Sequence, residues 1–101
     1  MRGIFFDEDD ARAAVARLVA DGYAARAENF VRTARTLVGM AEEEEYLTRA
    51  AEAYRQAIDR YSKVTGYQDV PRSLRQSRRA LRQVQLRIAE LHAPSEEPPW
   101  P

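Results

Sequence analysis

The chain has 101 residues, of which 45% are hydrophobic and 32% are charged, and its formal net charge is zero. This length suits one domain, and the charge balance gives no overall field that would draw the chain to nucleic acid or to an anionic membrane. The sequence contains no cysteine, which excludes disulfides, thiolate metal sites and cysteine nucleophiles.

The first third of the chain is predicted to form two short helices. An acidic cluster at 7–10 suits a helix N-terminus, where carboxylates meet the positive end of the helix dipole. A helix over about 9–21 would follow, and Gly22 is placed to end it. That helix would bury Ala11, Ala14, Val15 and Leu18. From Ala24 a second run of helical spacing extends to Gly39.

An alternative for the same region is a strand–helix–strand unit, which would make the fold α+β. Residues 4–6 would form the first strand, 9–21 the crossover helix and 23–31 the second strand. The last of these stretches is poor in β-branched residues and rich in alanine, which favours the helical interpretation.

The clearest element is a long helix over 41–65. Its apolar and small residues recur at gaps of three and four, at Leu47, Ala50, Tyr54, Ala57, Tyr61 and Val64. This spacing is typical of one face of an α-helix. Such a helix is roughly 36 Å long, so we expect the neighbouring segments to pack along it. Gly66 is placed to close it.

A last helix is predicted from Pro71 to His92. Pro71 disfavours helix at the preceding residue and suits a first helical position. Apolar residues repeat every seven positions, at Leu74, Leu81 and Ile88. The segment 94–101, PSEEPPWP, cannot continue a helix and is predicted to be a disordered tail after a single helical domain over 1–93.

The first two predicted helices resemble a tetratricopeptide-repeat hairpin. In that family small and large residues recur in a fixed order around a tight turn with glycine, and Gly22 stands at the corresponding turn. The matching positions are Ala11, Ala14, Val15, Leu18, Ala24, Ala27, Val31 and Ala34. The resemblance covers about a third of the chain. It implies packed helical hairpins and a protein-binding role.

Together these elements predict an all-α fold of four helices, packed as two antiparallel hairpins of which the second pair is long. The core should centre on the long helix, with these residues buried: Leu47, Tyr54, Ala57, Ile58 and Tyr61, against Leu74, Leu81, Val84 and Ile88. A small core is often completed by a partner, and seven-residue repeats support long helix–helix seams. We therefore predict a homodimer.

Five arginines of the last helix form a candidate anion-binding stripe: Arg72, Arg75, Arg78, Arg79 and Arg82. Helical spacing presents guanidinium groups in a row that could contact phosphates. The competing interpretation is a solvated face, or pairing with the acids Glu45, Glu52 and Asp59. No aromatic residue is interleaved, so we do not expect a nucleic-acid partner. A nucleic-acid-binding regulator is kept as the alternative function, which gains if the stripe stands free on the surface.

The candidate protein-binding residues are mainly aromatic: Tyr46, Tyr54, Tyr61, Leu86 and Trp100. Tyrosine and tryptophan are enriched in interfaces, but tyrosines at this spacing also pack in cores with their hydroxyls reaching the surface. Leu86 lies off the apolar seam and would be exposed in a monomer. Trp100 stands among prolines and acids, in a segment suited to peptide recognition.

The sequence predicts no catalytic residues, metal site or cofactor. Residues 42–45 are consecutive glutamates, so their carboxylates point in different directions and cannot converge on one ion. His92, the only histidine, lacks a Glu-x-x-His partner and a nearby nucleophile. The first ten residues do not have the pattern of a signal peptide or a membrane span. We predict a non-enzymatic, cytoplasmic interaction or assembly module that binds a protein or a second copy of itself, without a membrane partner.

Overall fold

The computed structural model describes residues 8–93, which form three α-helices and, within that range, no strand. The helices are α1 (Glu8–Thr36), α2 (Glu42–Tyr61) and α3 (Val70–His92). The all-α class is confirmed. The four-helix count is wrong, and so is the packing as two hairpins with the second pair long, since α1 is the longest of three helices. The alternative strand over 23–31 is also wrong, because that stretch lies inside α1. The predictions for residues 4–6 and 94–101 lie outside the described residues.

The predicted first hairpin is one helix because Gly22 does not end it. A glycine inside a helix costs about 1 kcal/mol relative to alanine, which tertiary packing can override. Ala20 and Ala27, on either side of Gly22, are both fully buried in apolar clusters that include α2 residues. The Tyr61 hydroxyl of α2 also donates a hydrogen bond to Asp21. Both halves of α1 are thus held by the same neighbour, and the helix continues.

A glycine stands in each connection, but Gly66 does not close α2 as predicted, because the helix ends at Tyr61 with Ser62 as its C-cap. Gly39, in the turn after α1, has φ of +83°, and Gly66, in the connector after α2, has φ of +90°. These are left-handed conformations that favour glycine. Pro71 stands in the first turn of α3, where its missing N–H removes no helical hydrogen bond.

The central element is α2, as predicted for the helix over 41–65, but α2 ends at Tyr61 and is the shortest of the three helices. It packs along both α1 and α3, whereas α1 and α3 scarcely contact each other. Two apolar clusters line it, one including Tyr54 and Val84 and the other including Tyr61 and Val70. The three helices therefore form an open arrangement in which α1 and α3 flank α2.

The predicted core is confirmed in part. Leu47, Tyr54, Ala57, Tyr61 and Val84 are buried, whereas Ile58, Leu74, Leu81 and Ile88 are half-buried. Leu74, Leu81 and Ile88 are only half-buried because α3 contacts α2 along a different line of residues. The buried residues of α3 are Val70, Ser77 and Val84, spaced seven apart. The predicted leucine and isoleucine seam lies beside this line and packs against the clusters from the rim.

Candidate functional site

The five arginines of the predicted stripe lie on the exposed side of α3 and are called the arginine face below: Arg72, Arg75, Arg78, Arg79 and Arg82. At about 100° per residue, Arg79 projects nearly opposite the buried Ser77. Arg72, Arg75 and Arg82 fall on the same side, and Arg78 lies alongside. The helix thus separates its apolar contact line from a continuous basic surface.

The arginine face has no ion pair or hydrogen bond to any other side chain within residues 8–93. The acids nearest in sequence are engaged elsewhere. Asp69, just before α3, contacts Arg17 of α1. Glu90 accepts a hydrogen bond from Arg87 at 3.0 Å.

The pairing with Glu45, Glu52 and Asp59, one of the competing interpretations, is wrong, because those acids are paired with basic residues on α2 or just after it. Their partners lie three or four residues away, the separation at which helical side chains meet. The ion-pair distances are 2.6 Å for Glu45–Arg49, 3.7 Å for Glu52–Arg55 and 3.2 Å for Asp59–Lys63. The arginines of α3 are left as a solvated face.

The neutral net charge of the chain conceals a strongly basic helix. Residues 70–89 contain six arginines and no acidic residue. Arg72 lies near the N-terminus of α3, whose first turn has no acid and where the helix dipole disfavours positive charge. Arginines three or four apart on one helix also repel each other. This arrangement therefore costs α3 stability, and folding alone does not explain it.

The predicted tyrosine surface is not a free surface. Tyr54 and Tyr61 are 5% and 3% exposed and pack in the two core clusters. Tyr46 is half-buried, with its ring centroid 6.2 Å from that of Phe30. Leu86 is 57% exposed on the same side of α3 as the arginine face. Trp100 lies outside the described residues.

Two cavities open between α1 and α3, where the helices stand apart above α2. An apolar cavity of ≈ 270 Å³ is lined in part by Val31, Leu47 and Val84. A more polar cavity of ≈ 240 Å³ includes Asp21 and Tyr61. Burial and the hydrogen bond to Asp21 raise the pKa of the Tyr61 hydroxyl. A tyrosine that exchanged protons near neutral pH would need a lowered pKa, so this pair is better explained as a structural contact.

Glu43 joins α2, α3 and the turn between α1 and α2, a role that the sequence interpretation missed. It is only 2% exposed. Arg87 donates to it through Nε at 2.8 Å and through Nη2 at 3.1 Å. The Gly39 N–H donates at 3.1 Å. The Arg87 bonds, followed by the Gly39 bond, hold the pKa of the Glu43 carboxyl below its ordinary value. The position could have been found from spacing, since Glu43 precedes Leu47 by four residues on the apolar face.

The other glutamates at the start of α2 diverge, as predicted. Glu44 contacts the ring of His92, while Glu45 is held by Arg49. Within residues 8–93 no three histidine, aspartate or glutamate side chains are placed to hold a metal ion. None of the three helices combines the length and apolar character needed to cross a membrane.

A second candidate surface, also missed from the sequence, is an apolar row on the outer side of α1. It is called the α1 seam and consists of Ala11, Val15, Leu18, Gly22 and Ala25, all exposed. Val15 and Leu18 are 60% and 70% exposed, although they were predicted to be buried. The prediction failed because the uninterrupted helix takes its orientation from Ala20, Ala27 and Ala34, the buried residues on its opposite side.

Comparison with known proteins gives no match: no family model, curated protein or solved structure matches this chain. The resemblance to a tetratricopeptide-repeat hairpin therefore stays a prediction. Function has to be inferred from the two exposed surfaces, the α1 seam and the arginine face.

Proposed function

We propose that this chain is a non-enzymatic protein-interaction module that assembles with a second copy of itself through the α1 seam. The observation that carries the proposal is the exposure of Leu18, which is 70% exposed in the middle of the seam. Val15 and Val19, close by on α1, are 60% and 39% exposed. Apolar side chains that cluster on the surface of a small protein are a mark of interaction sites.

The spacing of the α1 seam suits the packing of a second helix. Its residues recur at gaps of four, three, four and three, the pattern of a helix–helix seam. Ala11, Gly22 and Ala25 are small and allow a partner helix to approach closely. The seam extends over roughly 21 Å. It ends where Asn29 and Arg32, hydrogen-bonded to each other at 3.1 Å, occupy the same side of the helix.

A second copy of the chain is a suitable partner because the ends of the seam carry opposite charges. At the start of α1 the acids Glu8, Asp9 and Asp10 outnumber Arg12, which pairs with Glu8. Near the other end Arg26, Arg32 and Arg35 outnumber Glu28. An antiparallel pair of α1 helices would set unlike charges beside each other, and a two-fold axis near Leu18 would match the seam to itself. Self-association is therefore supported by the α1 seam and no longer by Tyr54 and Tyr61, which are buried.

The proposal is tested by light scattering coupled to size exclusion at micromolar concentration. We expect the wild-type chain to have twice the monomer mass of 11.6 kDa. Leu18→Asp should give a monomer, because it places a carboxylate in the centre of the seam. The matched control is Leu86→Asp. Leu86 lies on α3 and is also exposed, at 57% against 70% for Leu18, so this variant should remain a dimer.

Circular dichroism of both variants checks that each retains its helical content. A wild-type mass near 11.6 kDa at every concentration would refute self-association. Equal dissociation of the Leu18 and Leu86 variants would refute the assignment of the interface to α1.

A further inference from the structure

We propose that the arginine face of α3 binds the phosphate backbone of double-stranded nucleic acid without reading its sequence. This function goes beyond protein assembly and rests on a different surface. The five arginines are exposed and have no side-chain partner within residues 8–93, and residues 70–89 contain no acid that could neutralise them. The face is the largest uncompensated charge on the described part of the chain.

The length and chemistry of the face match a duplex backbone. Arg72 and Arg82 are separated by roughly 15 Å along the helix. Over that distance a nucleic-acid duplex carries about nine phosphate charges on its two strands. Guanidinium groups are planar and offer paired N–H donors that fit two phosphate oxygens. Contacts of this kind fix the position of a protein on a duplex but carry no sequence information.

A duplex fits the face better than a single strand does. Proteins that bind single strands combine positive charge with aromatic side chains on which bases stack. No phenylalanine, tyrosine or tryptophan occurs in α3, and its one imidazole, His92, lies at the far end beside Glu44. The arginine face therefore offers contacts to phosphates and none to unstacked bases.

Other anionic surfaces fit the arginine face less well. A helix that binds a bilayer buries its apolar side in the lipid, but the apolar side of α3, including Val70 and Val84, is occupied by α2. An acidic peptide would lose conformational entropy on lying along a straight row of charges, whereas a duplex is already rigid and regularly charged. The acids Glu45, Glu52 and Asp59 of a second copy are already paired, with Arg49, Arg55 and Lys63 of their own chain.

The test is a fluorescence anisotropy titration of the full chain with a labelled mixed-sequence DNA duplex of about 20 base pairs, at salt concentrations from about 50 to about 200 mM. We expect binding that weakens with salt, with a slope of log K against log salt of roughly −0.9 for each phosphate contacted. The double variant R75Q/R79Q should weaken binding at about 50 mM salt by at least about tenfold and make the slope shallower by about two.

The matched control is R49Q/R55Q, which removes the same amount of charge from the outer face of α2. Arg49 and Arg55 are exposed but paired with Glu45 and Glu52, so this variant should bind the duplex as the wild type does. Leu18→Asp retains the arginine face and should still bind, which separates this function from self-association.

Three results would overturn the proposal. The first is no duplex binding at about 50 mM salt, where backbone contacts are strongest. The second is an equal loss in R75Q/R79Q and R49Q/R55Q, which would show a response to net charge alone. The third is stronger binding to single-stranded DNA, poly-glutamate or phosphatidylserine vesicles than to the duplex, which would assign the face to a different anion.

Discussion

The outer faces of α2 and α3 are both exposed and both rich in arginine, but their charges are arranged in opposite ways. On the outer side of α2, Arg49 and Arg55 stand four and three residues from the acids with which they are paired, Glu45 and Glu52. On α3 the acids are absent from residues 70–89. A helix face with internal pairs needs no partner, whereas an unpaired row of like charges leaves its electrostatic potential available to a ligand.

This comparison shows why the net charge of the whole chain is a poor guide to its binding partners. The formal charge is zero, yet the positive charge concentrates on one side of one helix. A ligand at the surface of α3 experiences the local field, since charges farther away than roughly 8–10 Å are largely screened at physiological salt. Four predictions test how far the buried and the exposed sides of the helices differ.

The largest effect should come from the inner face of α2. Leu47→Ala removes a side chain that is 5% exposed in the first core cluster, and we expect the free energy of unfolding to fall by about 2–5 kcal/mol. Leu86→Ala, on the outer side of α3, should change it by less than about 0.5 kcal/mol. Urea unfolding followed by circular dichroism measures both. Similar losses in the two variants would contradict the assignment of inner and outer faces.

A smaller effect should come from Arg87. Unlike the five arginines of the arginine face, it is paired with an acid, Glu43. Arg87→Ala leaves the buried Glu43 carboxylate with the Gly39 N–H as its remaining hydrogen-bond donor, so the protein should be less stable at pH 7. The loss should be smaller than for Leu47→Ala, because the Arg87 side chain is 37% exposed and water can replace part of it. Arg79→Ala, which breaks no ion pair, is the control and should leave stability nearly unchanged.

The same variant should change how stability depends on pH. The pKa of Glu43 is lower in the folded state than its ordinary value of 4.5. Its contribution to stability is therefore present above about pH 4.5 and is lost as the pH falls through the folded-state pKa. In Arg87→Ala this acid-dependent loss should be shallower, as measured by urea unfolding at several pH values between about 3 and 7. An unchanged slope would show that Arg87 does not hold the carboxylate.

The smallest effect should be a gain in stability. Arg72→Glu places an acid near the N-terminus of α3, where the helix dipole favours negative charge, and three residues before Arg75. We expect the free energy of unfolding to rise by about 0.3–1 kcal/mol, while duplex binding weakens. Thermal unfolding at low salt measures the gain, and Arg55→Glu on α2, which breaks a pair, should show none. Destabilisation by Arg72→Glu would mean that Arg72 has a structural role.

The parts of the fold that could be predicted are those set by local pattern. The central helix α2 follows from the gaps of three and four between Leu47 and Tyr61, and the turn at Gly39 follows from its left-handed conformation. Gly22 was misjudged because its effect depends on what lies across from it. A cost of about 1 kcal/mol decides the structure of an isolated peptide, but not of a helix whose neighbouring alanines are buried against a partner.

The candidate surfaces could also be predicted only where a local sequence pattern determines them. The residues of the arginine face were identified from their spacing alone. The side of the molecule on which they lie depends on the packing of α3 against α2. The exposure of Leu18 could not be predicted, since it follows from the continuity of α1 through Gly22. The Glu43–Arg87 pair joins residues that are 44 positions apart, and no local pattern specifies such a contact.

The sparse contact between α1 and α3 has a consequence for the cooperativity of the fold. Because α3 is attached mainly to α2, the free energy that holds α3 in place is largely separate from the free energy that holds α1 against α2. Proteins open in units whose boundaries follow such gaps in packing. The amide protons of α3 should accordingly exchange with solvent through an opening in which the α1–α2 pair stays folded. A duplex bound on α3 would slow that exchange only if α3 remains docked on α2.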